Sequence, residues 1–491
     1  MLFYLSSAVL VAALLLGGGT HVGFLGDVAL QFLAIPLLCM ALWPAFSQQS
    51  LHRKKARLAL WICGVAALVA AIQLSPLHLD YWSGATGLLP ASSGALPAVP
   101  GTHSLTLTPE AGWAAALSLI LPLSIFAASV QLTLEQRIRL CFLLAGLGAV
   151  SLAIGFLQMA QGSASSLRFY EFTNPTEAVG FFANRNHFAA LLNVTLVLAA
   201  VWLWMTANAA LSRGALGNRS VLWLGAAAAF LVADAAGLAM ARSRAGMAFA
   251  IVALIGIVSM AFKQTRATEK TRRHTSSSRI SLAAAVFAVL FAAQFGLGSM
   301  LSRFEGDPLE DLRFALNQTT FETAVKALPF GTGLGSFVRV YASVEKREDA
   351  FAGFANRAHN DAAELLLETG VLGAALLLAF LAWYAKCTYR AWTAGQPERP
   401  PIEPMLERAA SLIVGLLLLH SLVDYPLRTA ALSTVFSFFC AILAAPAITA
   451  AGPHGQPEKD GQPQPERRHK APLRPLENWG TNDAWPESWQ K

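Results

Sequence analysis

The chain has 491 residues, of which 55% are hydrophobic and only 13% charged, with a formal charge of +7. Soluble domains carry about a quarter charged residues, so the composition excludes a string of water-soluble domains. The basic residues lie in separate short clusters without aromatic neighbours, which argues against a nucleic-acid surface.

Apolar runs of ~20 residues recur along nearly the whole chain, the length that crosses a bilayer core of ~30 Å. In hydrocarbon only a helix satisfies its backbone within one segment. The expected fold is all-α: a polytopic membrane protein of about twelve transmembrane helices with one large periplasmic loop containing short helices. The spans are expected near 2–19, 23–46, 58–75, 112–131, 138–160, 187–207, 220–240, 245–262, 280–300, 362–385, 408–424 and 429–447. The first run lacks a basic n-region and reads as a span rather than a cleaved signal.

Every second loop is basic: Arg53, Lys54, Lys55 and Arg57, then Arg137 and Arg139, Arg213 and Arg219, the 263–279 cluster, and Lys386 to Arg408. The positive-inside bias places these in the cytoplasm with both termini, and puts the intervening loops outside an inner membrane. Cys39, Cys63, Cys141, Cys387 and Cys440 fall in spans or at a cytoplasmic edge, so no disulfide framework is expected. The chain divides into N-terminal helices (1–180), central helices (181–300), a large periplasmic catalytic loop (301–360), C-terminal helices (361–447) and a polar tail (448–491) that reads as disordered and cytoplasmic.

The large loop has legible local structure. Asp307-Pro308-Leu309-Glu310 is a helix start, with Asp as cap and Pro first. Apolar residues follow at helical spacing, in one row at Leu309, Leu312 and Leu316 and in another at Phe314, Phe321, Val325 and Leu328. Pro329 and Gly331 end the helix. The Gly-Thr-Gly-Leu-Gly run at 331–335 follows a helix, not a strand, and is a tight turn rather than a dinucleotide fingerprint. Asn360 is the cap of the next helix.

His359 precedes that cap, where the positive helix end favours the neutral ring; a neutral imidazole at an aqueous membrane face is a potential general base. Asp361, Glu364 and Glu368 share one face of the following helix, and one of them is expected to orient the ring or a substrate hydroxyl. Arginines are the second set: Arg242 and Arg244 at a very short turn, Arg313 on the loop helix, Arg185 beside the sixth span, and Arg303 and Arg357 at the loop ends. Outer loops are normally poor in arginine. Guanidinium groups grip phosphate with two prongs, so a lipid diphosphate is one explanation; pairing with Asp234, Glu305, Asp307 or Asp311 is the other. His420 and Asp424 lie one helical turn apart and either floor the site or end their helix. The outer histidines lack ligand spacing and Asp-x-Asp is absent, so neither metal nor cofactor is expected. Asp27 and Asp234 raise a transporter reading, without the matched broken helices that would accompany it.

The order of these motifs resembles the O-antigen ligase/O-antigen polymerase superfamily. The resemblance covers roughly 180–430: Phe182-Ala-Asn-Arg-Asn-His-Phe-Ala189, Ser243-Arg-Ala-Gly246, Arg313, Pro329 to Phe337, Ala358-His-Asn-Asp361, Glu364, Glu368-Thr-Gly370 and His420 to Arg428. It implies a glycosyltransferase moving a glycan from undecaprenyl diphosphate to an acceptor hydroxyl at the periplasmic face, inverting and independent of metal. The acceptor would be lipid A-core for a ligase or a growing glycan for a polymerase. By position, His359 would be the base, with Arg244 and Arg313 holding the diphosphate and Arg242 competing with Arg244. Arg242, Arg185, Arg357, Asn360 and Glu364 are the expected substrate-binding residues. A ligase is the first expectation, a repeat-unit polymerase the second, a polysaccharide transporter or flippase the rival from another class.

Overall fold

The computed structural model describes residues 1–19, 25–43, 56–75, 106–212, 217–269, 308–346, 355–393 and 400–445. The expected 280–300 span, most of the 76–111 loop, Arg303, Glu305, Asp307 and the tail lie outside the described residues. Among the described residues every regular element is helical.

In chain order these are α1 (Leu2–Leu16), α2 (Leu25–Leu42), α3 (Arg57–Leu74), α4 (Pro109–Ser118), α5 (Ile120–Ser129), α6 (Leu134–Gln161) and α7 (Arg185–Ser212). Then follow α8 (Asn218–Ala241), α9 (Arg244–Glu269), α10 (Pro308–Lys326), α11 (Phe337–Val344), α12 (Asp361–Thr393), α13 (Ile402–His420), a 3-10 turn at Pro426–Arg428 and α14 (Ala430–Ala444). Eight helical segments among the described residues are long and apolar enough to cross a bilayer, α4 and α5 counting together as one. The protein is an integral membrane protein. Of the other four expected spans, 280–300 lies outside the described residues and three are α1, α13 and α14. α1 and α14 have 15 residues each and rise only ~22 Å, and α13 carries Glu403, Glu407 and Arg408 in its first half.

α7 is the axis of the bundle, mostly buried against α6, α8, α9 and α13. Small residues permit the close approach: a Cβ on Gly148 of α6 would stand 2.1 Å from the Thr195 methyl on α7, the kind of packing that membrane helices use in place of hydrophobic burial. A second group, α1, α2, α5 and α14, packs beside it, and one apolar core runs through both. α6 starts at a capping box, Gln136 N–H donating to Thr133 Oγ1 (3.3 Å) and Thr133 N–H to Gln136 Oε1 (3.1 Å).

The 308–360 segment has its own small core of Leu316, Ala324, Phe337, Val340, Tyr341 and Ala358, closed on Leu367 of α12. α11 had no distinct signal in the sequence. The glycine turn is docked on α12 where that helix breaks at Gly370 (φ 59°, ψ −143°). Carbonyls freed by the break need partners, and the turn supplies them: Thr332 N–H donates to Leu367 O and Gly333 N–H to Glu368 O, both 2.8 Å. Gln73 on α3 joins in, donating to Glu368 O (3.0 Å) and accepting from Leu334 N–H (3.1 Å). A Cβ on Gly370 would lie 2.2 Å from Pro329 O. Gly370→Ala therefore combines a backbone conformation reserved for glycine with a clash, costing about 2–6 kcal/mol. The expected result is a sharp drop in folded protein in detergent; thermal unfolding unchanged from wild type would contradict it.

Candidate active site

The site is assembled where α7, α9 and α12 begin and α13 ends. Asn184 caps α7, its Oδ1 accepting from Asn186 N–H at 2.8 Å, which fixes Asn186 and His187 in the first turn. Asn360 caps α12 as expected, its Oδ1 accepting from Ala362 and Ala363 N–H at 3.1 Å each. The first N–H of α12 is used between helices: Asp361 donates to Ser421 O at 2.8 Å. That bond ties the start of α12 to the turn after α13.

His359 sits between these two anchors in a left-handed backbone conformation (φ 54°). Such a residue costs about 1–2 kcal/mol and persists only where its surroundings fix it. The ring is held on two sides. Its Nδ1 is 3.0 Å from Asp424 Oδ1, and it packs edge-to-face with the Tyr425 ring, with centroids 4.8 Å apart. In the neutral ring the Asp424 contact places the proton on Nδ1 and leaves the Nε2 lone pair free.

Asp424 is the centre of the constellation. Fully buried, it also accepts from the Asn186 amide and from Tyr425 N–H at 2.9 Å. Burial by itself would raise its carboxyl. The hydrogen bond and positive potential of His359, with His187 and Arg313 nearby, instead hold it well below the usual carboxylate range. His187 is buried behind it, Nε2 4.0 Å from Asp424 Oδ1, with neither ring nitrogen hydrogen-bonded. His420 is also buried, its ring 5.2 Å from that of Phe249 on α9.

Of the two roles expected for Asp361, Glu364 or Glu368, orienting the ring or a substrate hydroxyl, the first is corrected here: Asp424, 65 residues beyond His359, is the acid on the ring. The three acids on α12 serve Arg428 and Arg357 instead. Arg428 reaches Glu368 Oε2 at 3.2 Å, Asp361 Oδ1 at 3.5 Å and Glu364 Oε1 at 3.5 Å. Burial would lower the Arg428 guanidinium, but Glu364, Glu368 and Asp361 hold it above its ordinary value. Arg357 donates to Glu364 Oε1 at 2.9 Å, and the other Glu364 oxygen accepts from Ala358 N–H at 3.0 Å. Glu364 is thus fully engaged, and with Arg357 it clamps the stretch of chain that ends in His359.

The remaining arginines divide by environment. Arg313 on α10 is half-buried, and its positive charge is the least of the influences that hold the Asp424 carboxyl low. Arg244 is half-buried at the start of α9, in a turn where Ser243 Oγ accepts from Gly246 N–H (3.0 Å) and Gly246 O accepts from Asn193 on α7 (3.0 Å). Arg242, exposed and left-handed (φ 50°), occupies the turn itself. Arg185 is paired with Glu177 at 2.8 Å, an acid that was not among its expected partners. Asp234, which was, accepts instead from Thr195 at 3.2 Å. Among the described residues no group of three or more His, Cys, Asp or Glu is arranged to hold a metal ion.

The residues of the site to which the sequence assigned no chemical role are Asp424, Asn186, His187, Tyr425 and Arg428. The signal for Asp424 was its place as an acid, one turn from a histidine, at the end of an apolar helix.

A search of curated proteins returned no match. The family model described as O-antigen ligase matches residues 227–378. That segment runs from within α8 through the Gly370 break, and includes Arg242, Arg244, Arg313, Arg357, His359, Asn360 and Glu364. Asp424, Asn186 and Arg428 come from either side of it. This match over α8 to α12 supports the O-antigen ligase/polymerase superfamily.

Proposed function

We propose that this protein is an O-antigen ligase-type glycosyltransferase of the bacterial inner membrane. It moves a glycan from undecaprenyl diphosphate to an acceptor hydroxyl, lipid A-core in the ligase reading, at the periplasmic face. The observation that carries this reading is the 3.0 Å contact between His359 Nδ1 and Asp424 Oδ1, in a chain whose residues 227–378 match the family model described as O-antigen ligase.

The acceptor hydroxyl donates its proton to His359 Nε2 while its oxygen bonds to the anomeric carbon. The carbon–oxygen bond to the diphosphate breaks, and its electrons leave with undecaprenyl diphosphate. Asp424 orients the ring and stabilises the imidazolium that forms. Arg313 and the half-buried Arg244 offset the charge gathering on the departing diphosphate; Arg242 is the more exposed alternative to Arg244. Arg357, Glu364 and Asn360 act on His359 from behind as positioning residues, and Arg185 steadies the start of α7. One displacement with no enzyme-bound glycan inverts the anomeric centre.

Arg313→Lys keeps the charge but loses the two-pronged geometry. Losing one charge-assisted hydrogen bond of roughly 1.5–3 kcal/mol should weaken donor use by about 10- to 100-fold. Unchanged donor affinity would reject the diphosphate role. Surface glycans of a deletion strain test the function as a whole. Carrier-linked polymer of normal length with no transfer to the acceptor is the ligase result; single repeat units would assign a polymerase instead, and an unaltered glycan profile would refute both.

A further inference from the structure

α10 is inside out for a helix in water. Its buried face is made of Leu316, Thr319, Thr320, Thr323 and Ala324, while Phe314, Phe321 and Val325, continued by Leu328 just past the helix end, point outward. Phe314 is 73% exposed and Phe321 53%. At 3.6 residues per turn the four outward residues fall on one narrow stripe. A helix in water buries its large apolar residues and leaves the threonines outside; the reverse arrangement is stable only if the stripe faces a non-aqueous medium.

Two further observations say which medium. The stripe runs into Phe330, and Val371 N–H on α12 bonds to Pro329 O at 2.8 Å. Val371 and Leu372, 51% and 50% exposed, belong to the outward face of α12, a helix long and apolar enough to span. The apolar surface is therefore continuous from α10 onto the lipid-facing side of a span. The stripe also has a polar edge along one side: Gln318 donates to Glu322 at 2.8 Å, and Lys326 follows one turn on. An apolar stripe with a charged margin is the pattern of a helix lying in a membrane surface.

We propose that α10 lies in the membrane interface, with the Phe314, Phe321, Val325 and Leu328 stripe seated in the acyl layer of bilayer phospholipid. Arg313 is about a quarter turn from that stripe, so this seating holds its guanidinium at headgroup depth. The proposal rests on the membrane assignment and not on the transfer chemistry.

The test places p-benzoylphenylalanine at Phe314 or Phe321, replacing one aromatic ring with another, in the full chain reconstituted into phosphatidylethanolamine–phosphatidylglycerol vesicles. Val371 serves as the lipid-facing reference and Glu322 as the polar margin. After irradiation, mass spectrometry should find phospholipid adducts at 314, 321 and 371, and several-fold fewer at 322. Three outcomes at 314 and 321 would overturn the proposal while 371 still captures lipid. They are adducts to a peptide of this chain or a second copy, adducts to a co-purified polyprenyl lipid in place of phospholipid, or no adduct. Inactive His359 variants would leave the result unaltered, so its failure and failure of the transferase reading are separable.

Discussion

Replacing His359 with alanine should abolish glycan transfer while the protein still inserts and accumulates. A general base contributes typically ~10²–10⁴ in rate, and His187, the other histidine beside Asp424, is fully buried. The fold has little at stake, because the side chain is 23% exposed and lies outside both apolar cores. The left-handed backbone at φ 54° is the one structural complication. His359→Asn covers it, since asparagine adopts that conformation readily and offers no base. Both variants should be present at wild-type level in membranes and transfer nothing measurable. Wild-type activity in either would remove His359 from the mechanism.

Asp424→Asn is expected to be nearly as damaging, with a different signature. Asparagine fills the same buried volume and still hydrogen-bonds to Asn186 and Tyr425 N–H. It lacks the negative charge that fixes His359 with its proton on Nδ1 and that stabilises the imidazolium. In the serine-protease triad the equivalent exchange costs ~10⁴ in kcat; here kcat should fall by about 10²–10⁴ with the donor KM changed little. A structural role alone would lower the amount of folded enzyme and leave the turnover of the remainder intact. Turnover per folded molecule is therefore the quantity to measure, and a normal value would reduce Asp424 to a packing residue.

What was readable from residue order was local. Asn360 as a cap, Pro308 as a helix start, the glycine turn and the apolar runs within the described residues each depend on neighbours within a turn or two, and each appears where the pattern put it. The contacts that make the site are not local. His359 and Asp424 meet because Asp361 N–H bonds to Ser421 O, a bond that no periodicity encodes. The acids of α12 were found on one face, as their spacing required, but spacing does not say what faces them; Arg428 does, from 60 residues beyond Glu368. The two apolar rows of α10 were both legible. Which one turns inward depends on the small core around Phe337 and Leu367, so the unusual choice of burying threonine while exposing phenylalanine emerges only in three dimensions. α13, one of the expected spans, is held by its place in the bundle despite three charged residues near its start.

In the proposed mechanism a histidine steadied by a buried carboxylate activates a hydroxyl against a lipid-borne diphosphate. That chemistry is tested most directly by reconstituting the purified protein in vesicles with a polyprenyl-diphosphate oligosaccharide of known anomeric configuration and a soluble or lipid-anchored acceptor, and reading the new glycosidic bond by NMR. One polyprenyl diphosphate should be released per bond formed and the anomeric centre should be inverted, both lost in His359→Ala. A retained centre, or transfer that persists without His359, would contradict the mechanism.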